Sequence, residues 1–264
     1  MCRTGHFRYC WQTQRGGLRY GSTPMSVSPG LWGGYSQYLY LHPGAVIHRL
    51  PDSGPAHLMA PFLPLSNGVS LAIDYGGVRL GSSVLIQGPG EHGLCAAMAA
   101  HAAGAACIIV AGLSIDDGRL DIARRLGAHH TVDVEREDLV ARVKDITGGE
   151  GVDVVINITG AGTNTVQQGL ACAGTLATIV LSDAGEERLD LAWFGRRDLV
   201  IKSSNGHSYE SVEQAIQMIV SGEFPIAELS TTPYPLNQAS EAIDAVAGVF
   251  DRSITFTSIV PEVR

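Results

Sequence analysis

The sequence predicts a doubly wound α/β domain, a parallel sheet with helices on both faces. Three observations carry that prediction. From about residue 82 onward, short apolar runs alternate with segments of helix length. A glycine-rich turn, Gly88-Pro89-Gly90-Glu91-His92-Gly93, lies between the first such run and the first such helix. The composition, 45% hydrophobic and 17% charged over 264 residues, suits a globular chain that buries its core without staples. Strands that alternate with helices of this size imply a parallel sheet.

The elements follow in order. Residues 1–55 read as a β-rich piece, because 33–41 is aromatic, alternates, and is bounded by glycine and by His42-Pro43-Gly44. Pro51, Gly54, Pro55 and Pro61 then punctuate the chain and mark a boundary. Residues 83–87, 107–111, 130–134, 152–158, 175–181 and 199–203 are apolar runs of buried-strand type. Between them, 94–103, 116–126, 138–147 and 164–172 have helix composition, and Gly127 closes the second as a C-cap. Beyond the sheet, 209–221 and 236–246 read as helices and 253–259 as a last strand. The expected division is 1–55, 56–205 and 206–264.

Net charge is −8 with no basic block, which argues against nucleic acid. No apolar stretch is expected to reach the length of a membrane span. Five scattered cysteines and an N-terminus without an apolar signal core point to the cytoplasm.

The glycine turn fits G-x-G-x-x-G in the context that a dinucleotide requires, after a strand and at the start of a helix. Gly88 permits the tight turn, Gly90 lets a pyrophosphate approach the backbone, and Gly93 lets the helix pack close to the strand. The helix N-terminus then offers unpaired N–H groups to phosphate. Glu91 and His92 occupy the variable positions of that turn. An acid that binds the ribose of NAD is expected about 20 residues further on. Counting forward reaches Gly112 and counting back from Arg119 reaches Ser114, so two residues are inserted and neither position is acidic. Asp116 is the nearest acid, whereas Ser114 with Arg119 would suit the 2′-phosphate of NADP. The sequence leaves NAD and NADP open.

The runs GGVRLGSSVLIQGPGEHG, AAGAACIIVAG, RLDIARRLGAHHTVDV and GVDVVINITG resemble the zinc-type alcohol dehydrogenases of the medium-chain dehydrogenase/reductase family. LWGGYSQYLYLHPGAVIHRLPD upstream and TTPYPLNQASEAIDAV downstream extend the resemblance over nearly the whole chain. It implies a Rossmann domain flanked by remnants of a β-rich, GroES-like catalytic domain. It also implies hydride transfer between NAD or NADP and an alcohol or carbonyl compound. Thr159, Gly160, Val180 and Leu181, at the ends of later strands, are expected by resemblance to meet the nicotinamide half.

Departures from the family shape the remaining expectations. The fingerprint comes early, so the chain reads as N-terminally shortened. Leu63 stands where the family places its third zinc ligand, and the four-cysteine lobe keeps only Cys10, with Cys2 and His6 nearby. Zinc is therefore not expected in this chain, and no catalytic residue is assigned. The alternatives are a dinucleotide-binding module without catalysis and a zinc-independent quinone or enone reductase. A homo-oligomer is expected, because loss of half a catalytic domain would uncover apolar surface.

Overall fold

The computed structural model describes residues 33–41, 47–52, 56–160, 164–182, 189–195, 197–204, 206–229 and 233–261. Cys2, His6, Cys10, His42 and most of the acidic run after Ser182 lie outside the described residues. The chain forms two compact units, Asn67–Ser204 and a second made of Met1–Ser66 with Asn205–Arg264.

The unit Asn67–Ser204 is built on six strands: β1 (Ser83–Gln87), β2 (Cys107–Gly112), β3 (His130–Asp133), β4 (Val152–Asn157), β5 (Ala173–Leu181) and β6 (Val200–Ser203). Their order is β3-β2-β1-β4-β5-β6, and every described pairing is parallel. This is the doubly wound Rossmann order expected from the alternation of elements. The strand order reverses between β1 and β4, and a crevice opens at their carboxyl ends.

Strands buried on both faces need apolar residues at successive positions. Val84, Leu85 and Ile86 of β1 are all fully buried, as are Ile108, Ile109 and Val110 of β2. One face, with Leu85, Ile109, Val155 and Ile179, shares a core with Leu139, Val143, Val166 and Leu170. Leu139 and Val143 come from α5 (Leu139–Ile146), and Val166 and Leu170 from α6 (Thr165–Cys172). Two further helices, α3 (Glu91–Ala102) and α4 (Asp117–Arg125), pack on β1, β2 and β3. Helix α3 is buried continuously from Gly93 to Ala100, so it carries no polar stripe.

Ahead of the sheet come α1 (Ala56–Met59), α2 (Phe62–Val69) and a wider π turn, Ser70–Tyr75. In that turn the Gly76 N–H reaches back five residues to the Leu71 carbonyl, at 3.0 Å. A Cβ on Gly68 would lie 2.4 Å from the backbone carbon of Cys95, so glycine sets the approach to α3. The stretch Ala56–Tyr75 is 20 residues long with a mean hydropathy of 1.2. By length and composition it could cross a membrane, which corrects the expectation that no stretch approaches that length. More than half of it, 56%, is buried inside the protein, as in a core helix.

In the other unit, α7 (Tyr209–Ser221) is closed at both ends. Ser208 and Ser211 exchange side-chain-to-N–H bonds of 3.0 Å at its start, and Gly222 turns left-handed (φ +69°) at its end. Glu213 on this helix pairs with His48 Nδ1 at 2.6 Å, and the His48 ring lies 4.3 Å from that of Tyr209. Strands β7 (Tyr234–Pro235) and β8 (Ile259–Val260) form a short ladder beside α8 (Ala239–Val246).

Two strand expectations fail here. Residues 33–41 bend instead of pairing, and Tyr38 is 90% exposed, so alternation there buries nothing. Of 253–259, only its last residue enters a ladder, because Asp251 gathers Ser253 into a turn through its N–H (2.8 Å) and hydroxyl (2.7 Å).

The burial pattern makes a contrast between strands testable. Leu85→Ala, at a fully buried position of central β1, should cost about 2–5 kcal/mol. Val200→Ala, 47% exposed on edge strand β6, should cost less than about 1 kcal/mol. Urea unfolding of both variants checks this, and equal losses would contradict the assigned core.

Candidate functional site

Close contacts hold the glycine turn at Gly88 and Gly93 and leave no room for side chains there. Gly88 has φ +105°, its N–H donates to the Ala111 carbonyl at 2.9 Å, and a Cβ on it would lie 3.2 Å from the Ile158 carbonyl oxygen. A Cβ on Gly93 would lie 1.9 Å from the Gly88 carbonyl oxygen, so α3 rests directly on the end of β1. A Cβ on Gly112 would lie 2.7 Å from Pro89 Cγ, so the turn is also seated against β2. Gly90 differs from all of these. It is the N-cap of α3 in extended geometry (φ −71°, ψ −179°), and a Cβ there would meet nothing within 4 Å. Bare backbone at Gly90 and the first N–H groups of α3 therefore face open space.

That space is a cleft of about 220 Å³ lined by Gly90, Glu91, His92, Gly93, Ile158, Gly160 and Ser182. Burial pushes the Glu91 carboxyl up to about 7. Burial also lowers the His92 pKa, which favours a neutral ring. Asn67 Nδ2 lies 3.0 Å from His92 Nε2, and a neutral ring accepts that hydrogen bond. Cys95, one turn further into α3, is fully buried, and burial together with Glu91 pushes its thiol well up. It is a packing residue rather than a nucleophile.

The ends of β4 and β5 form the other wall. Thr159 Oγ1 donates to Asn157 Oδ1 at 3.0 Å, and Asn157 Nδ2 donates to Thr165 Oγ1 at 3.1 Å. Gln87 Nε2 donates to the Thr165 carbonyl at 2.9 Å. This polar knot locks the strand ends to the start of α6. Gly160 turns left-handed (φ +72°), Val180 is fully buried, and Leu181 is half-buried. Sequence reasoning missed Gln87 and Asn157, whereas Ile158 and Ser182, which line the cleft, fall in the strand-end segments 158–160 and 180–182 expected by resemblance to meet the nicotinamide half. The available signal was a polar side chain ending an otherwise apolar strand, as in SVLIQ and VDVVIN.

Ser114, Asp116 and Arg119 come together at the end of β2. Ser114 Oγ donates to Asp133 Oδ2 at 2.6 Å, and its N–H donates to Glu135 Oε2 at 2.8 Å. Asp116 Oδ2 accepts from the Leu113 N–H at 3.2 Å, and Arg119 lies 3.9 Å from Asp116 Oδ1. The Ser114 hydroxyl, then the Glu135 N–H and the Arg136 guanidinium, hold the Asp133 carboxyl below its usual range against the effect of burial. Asp133 and Glu135 were not singled out from sequence, because their proximity to Ser114 depends on the β2–β3 register, in which Asp133 pairs with Gly112.

The donor set for a zinc ion does not assemble among the described residues. No group of three His, Cys, Asp or Glu residues there is arranged to hold a metal, and Leu63 on α2 has no lone pair to offer.

Comparison with known proteins agrees with this architecture. Residues 93–221 match the family described as zinc-binding dehydrogenase. A probable alcohol dehydrogenase of Mycobacterium tuberculosis is 34% identical over 260 residues, covering 95% of this chain and 69% of that protein. An L-threonine 3-dehydrogenase of Anaeromyxobacter is 30% identical, covering 93% of this chain and 67% of that protein. Among solved structures, a zinc-binding-domain alcohol dehydrogenase of Burkholderia ambifaria superposes with a TM-score of 0.69 at 29% identity. It aligns with 76% of this chain, and 55% of its own length is covered. An alcohol dehydrogenase of Thermotoga maritima shares the fold at a TM-score of 0.79 and 19% identity, over 93% of this chain and 68% of its own. The chain belongs to the zinc-type alcohol dehydrogenases of the medium-chain dehydrogenase/reductase family, which are nicotinamide-dependent oxidoreductases.

Proposed function

We propose that this chain binds a nicotinamide dinucleotide along the carboxyl edge of its sheet, and that the protein transfers hydride between it and a small alcohol or carbonyl compound. The observation that carries the reading is the contrast within the glycine turn. Gly88 and Gly93 are closed against backbone, while Gly90 stands open at the N-terminus of a 12-residue helix. That arrangement leaves oriented N–H groups and a partial positive charge for a pyrophosphate.

The residues divide the work. Gly90 and the first turn of α3 would take the phosphates, and Glu91, pushed up to about 7 by burial, would oppose them with only part of a full negative charge at neutral pH. The edge at Ser114, Asp116 and Arg119 would face the adenosine ribose. Thr159, Gly160 and half-buried Leu181 would form the wall beside the nicotinamide, with Thr159 fixed by Asn157, whereas Val180, expected there from the sequence, is fully buried and would only support that wall from inside the sheet. When bound, the cofactor supplies the hydride acceptor, and an alcohol that gives up a hydride and a proton becomes the carbonyl. No step here passes through zinc, since Leu63 and the described donors do not fit one.

Residues 56–205 act as the dinucleotide domain in this reading, with 1–55 and 206–264 as parts of a catalytic domain. A cytoplasmic setting and self-association belong to the same proposal. The misfit at Leu63 favours one second reading, a dinucleotide-binding module without turnover. NADH oxidation across a panel of aldehydes and ketones separates the two.

Gly90→Val should keep the fold, at a cost of about 1 kcal/mol for the weaker cap, and lose at least tenfold in NADH affinity. Gly93→Val should destabilise beyond the roughly 1–3 kcal/mol of ordinary overpacking. Thermal melts with NADH fluorescence titration check both. Retention of binding by Gly90→Val would count against the phosphate site.

Glu91 predicts a pH dependence. Its carboxyl titrates near 4.5 when unfolded and at about 7 when folded. Between those values the folded state holds more protons, so stability should fall as pH rises from about 4.5 to about 7 and then level off. Urea midpoints of the parent and Glu91→Gln across that range test this. The variant should lose that component of the slope, and identical slopes would contradict it.

A further inference from the structure

We infer that this cleft selects the dinucleotide whose adenosine ribose has a free 2′-hydroxyl, and that Asp133 and Glu135, from the end of β3, make the selection through Ser114. The inference rests on reading the glycine turn as a dinucleotide site.

A ribose diol donates hydrogen bonds and is met by a carboxylate, whereas a 2′-phosphate needs donors and cations. Strand β2 ends in Gly112 and brings no acid of its own. The parallel register sets Asp133 directly beside Gly112, and its Oδ2 lies 2.6 Å from the Ser114 hydroxyl. The neighbouring strand thus delivers negative charge to the place where β2 lacks it. Glu135 is exposed, with one oxygen anchored 2.8 Å from the Ser114 N–H. Its carboxylate is thereby presented at the edge rather than left to wander.

The groups that would hold a 2′-phosphate are already engaged. Both donors of Ser114 go to carboxylates. Arg119 faces Asp116 at 3.9 Å, Arg124 is bonded to Asp121, and Arg136 lies 3.1 Å from Asp133 and 3.7 Å from Asp117. Between residues 113 and 137, acids outnumber arginines six to four. The Arg136 side chain is 65% exposed, and an exposed ion pair is weak, so it is the cation a 2′-phosphate would recruit. Asp133 and Asp117 compete for it. The Ser114 hydrogen bond also keeps Asp133 ionised through the neutral range, as an acceptor and not a donor.

The test is fluorescence titration of the full chain with NADH and with NADPH, repeated for Glu135→Gln and for Asp133→Asn combined with Glu135→Gln. The parent should bind NADH at least tenfold more tightly. The double variant should lower that ratio fivefold or more, and Glu135→Gln, an exposed change that does not threaten folding, should lower it in the same direction. Equal affinities, or tighter NADPH, would overturn the inference and leave the dinucleotide reading standing. Binding of neither would overturn both. An unchanged ratio in both variants would remove Asp133 and Glu135 from the selection.

Discussion

The cleft depends on one contact, the closure of α3 onto the end of β1 with no side chain between them. Gly93 lies so close to the Gly88 carbonyl that even a methyl group would overlap it. Because the helix sits that deep, it begins directly at the carboxyl end of β1. The same closeness presses Pro89 against Gly112 and Gly88 against Ile158, so three strand ends share one rigid floor. Phosphate binding at a helix N-terminus needs such a fixed frame, because the dipole acts only over the first turn.

Two carboxyl groups near the carboxyl edge of the sheet have opposite characters, and the cause is local. Burial pushes the Glu91 carboxyl up to about 7. Asp133 receives a hydroxyl and an N–H and stays ionised. In the proposed reading, the phosphate end of the cleft would carry less negative charge than the ribose end. This division of charge matches a ligand with an anionic centre and a hydroxyl-bearing sugar, and it arises from residues that a motif treats as variable.

Much of the fold was legible in the sequence because buried parallel strands leave an unambiguous pattern. Runs such as SVLIQ and CIIVAG between helix-length segments have few other solutions. The glycine turn was legible for the same reason, since each glycine answers a steric demand. Legibility failed where pattern and burial part company. Residues 33–41 alternate yet remain exposed, and 253–259 pairs only at its end. The helical stretch from Ala56 was underrated because Pro61 reads as punctuation, whereas Pro61 falls just before α2 and Pro64 in its first turn, where proline is tolerated. At the site, the side chains of Ser114, Asp116 and Arg119 were visible but their bonds were not. Their partners Asp133 and Glu135 lie some 20 residues away and are brought in by strand register.

A crystal structure of the chain with bound NADH tests the central claim most directly. The account predicts pyrophosphate oxygens over Gly90, within hydrogen-bond distance of the N–H groups that open α3, and the adenosine ribose beside Ser114 and Glu135. A dinucleotide bound elsewhere, or a glycine turn left empty at saturating NADH, would contradict it.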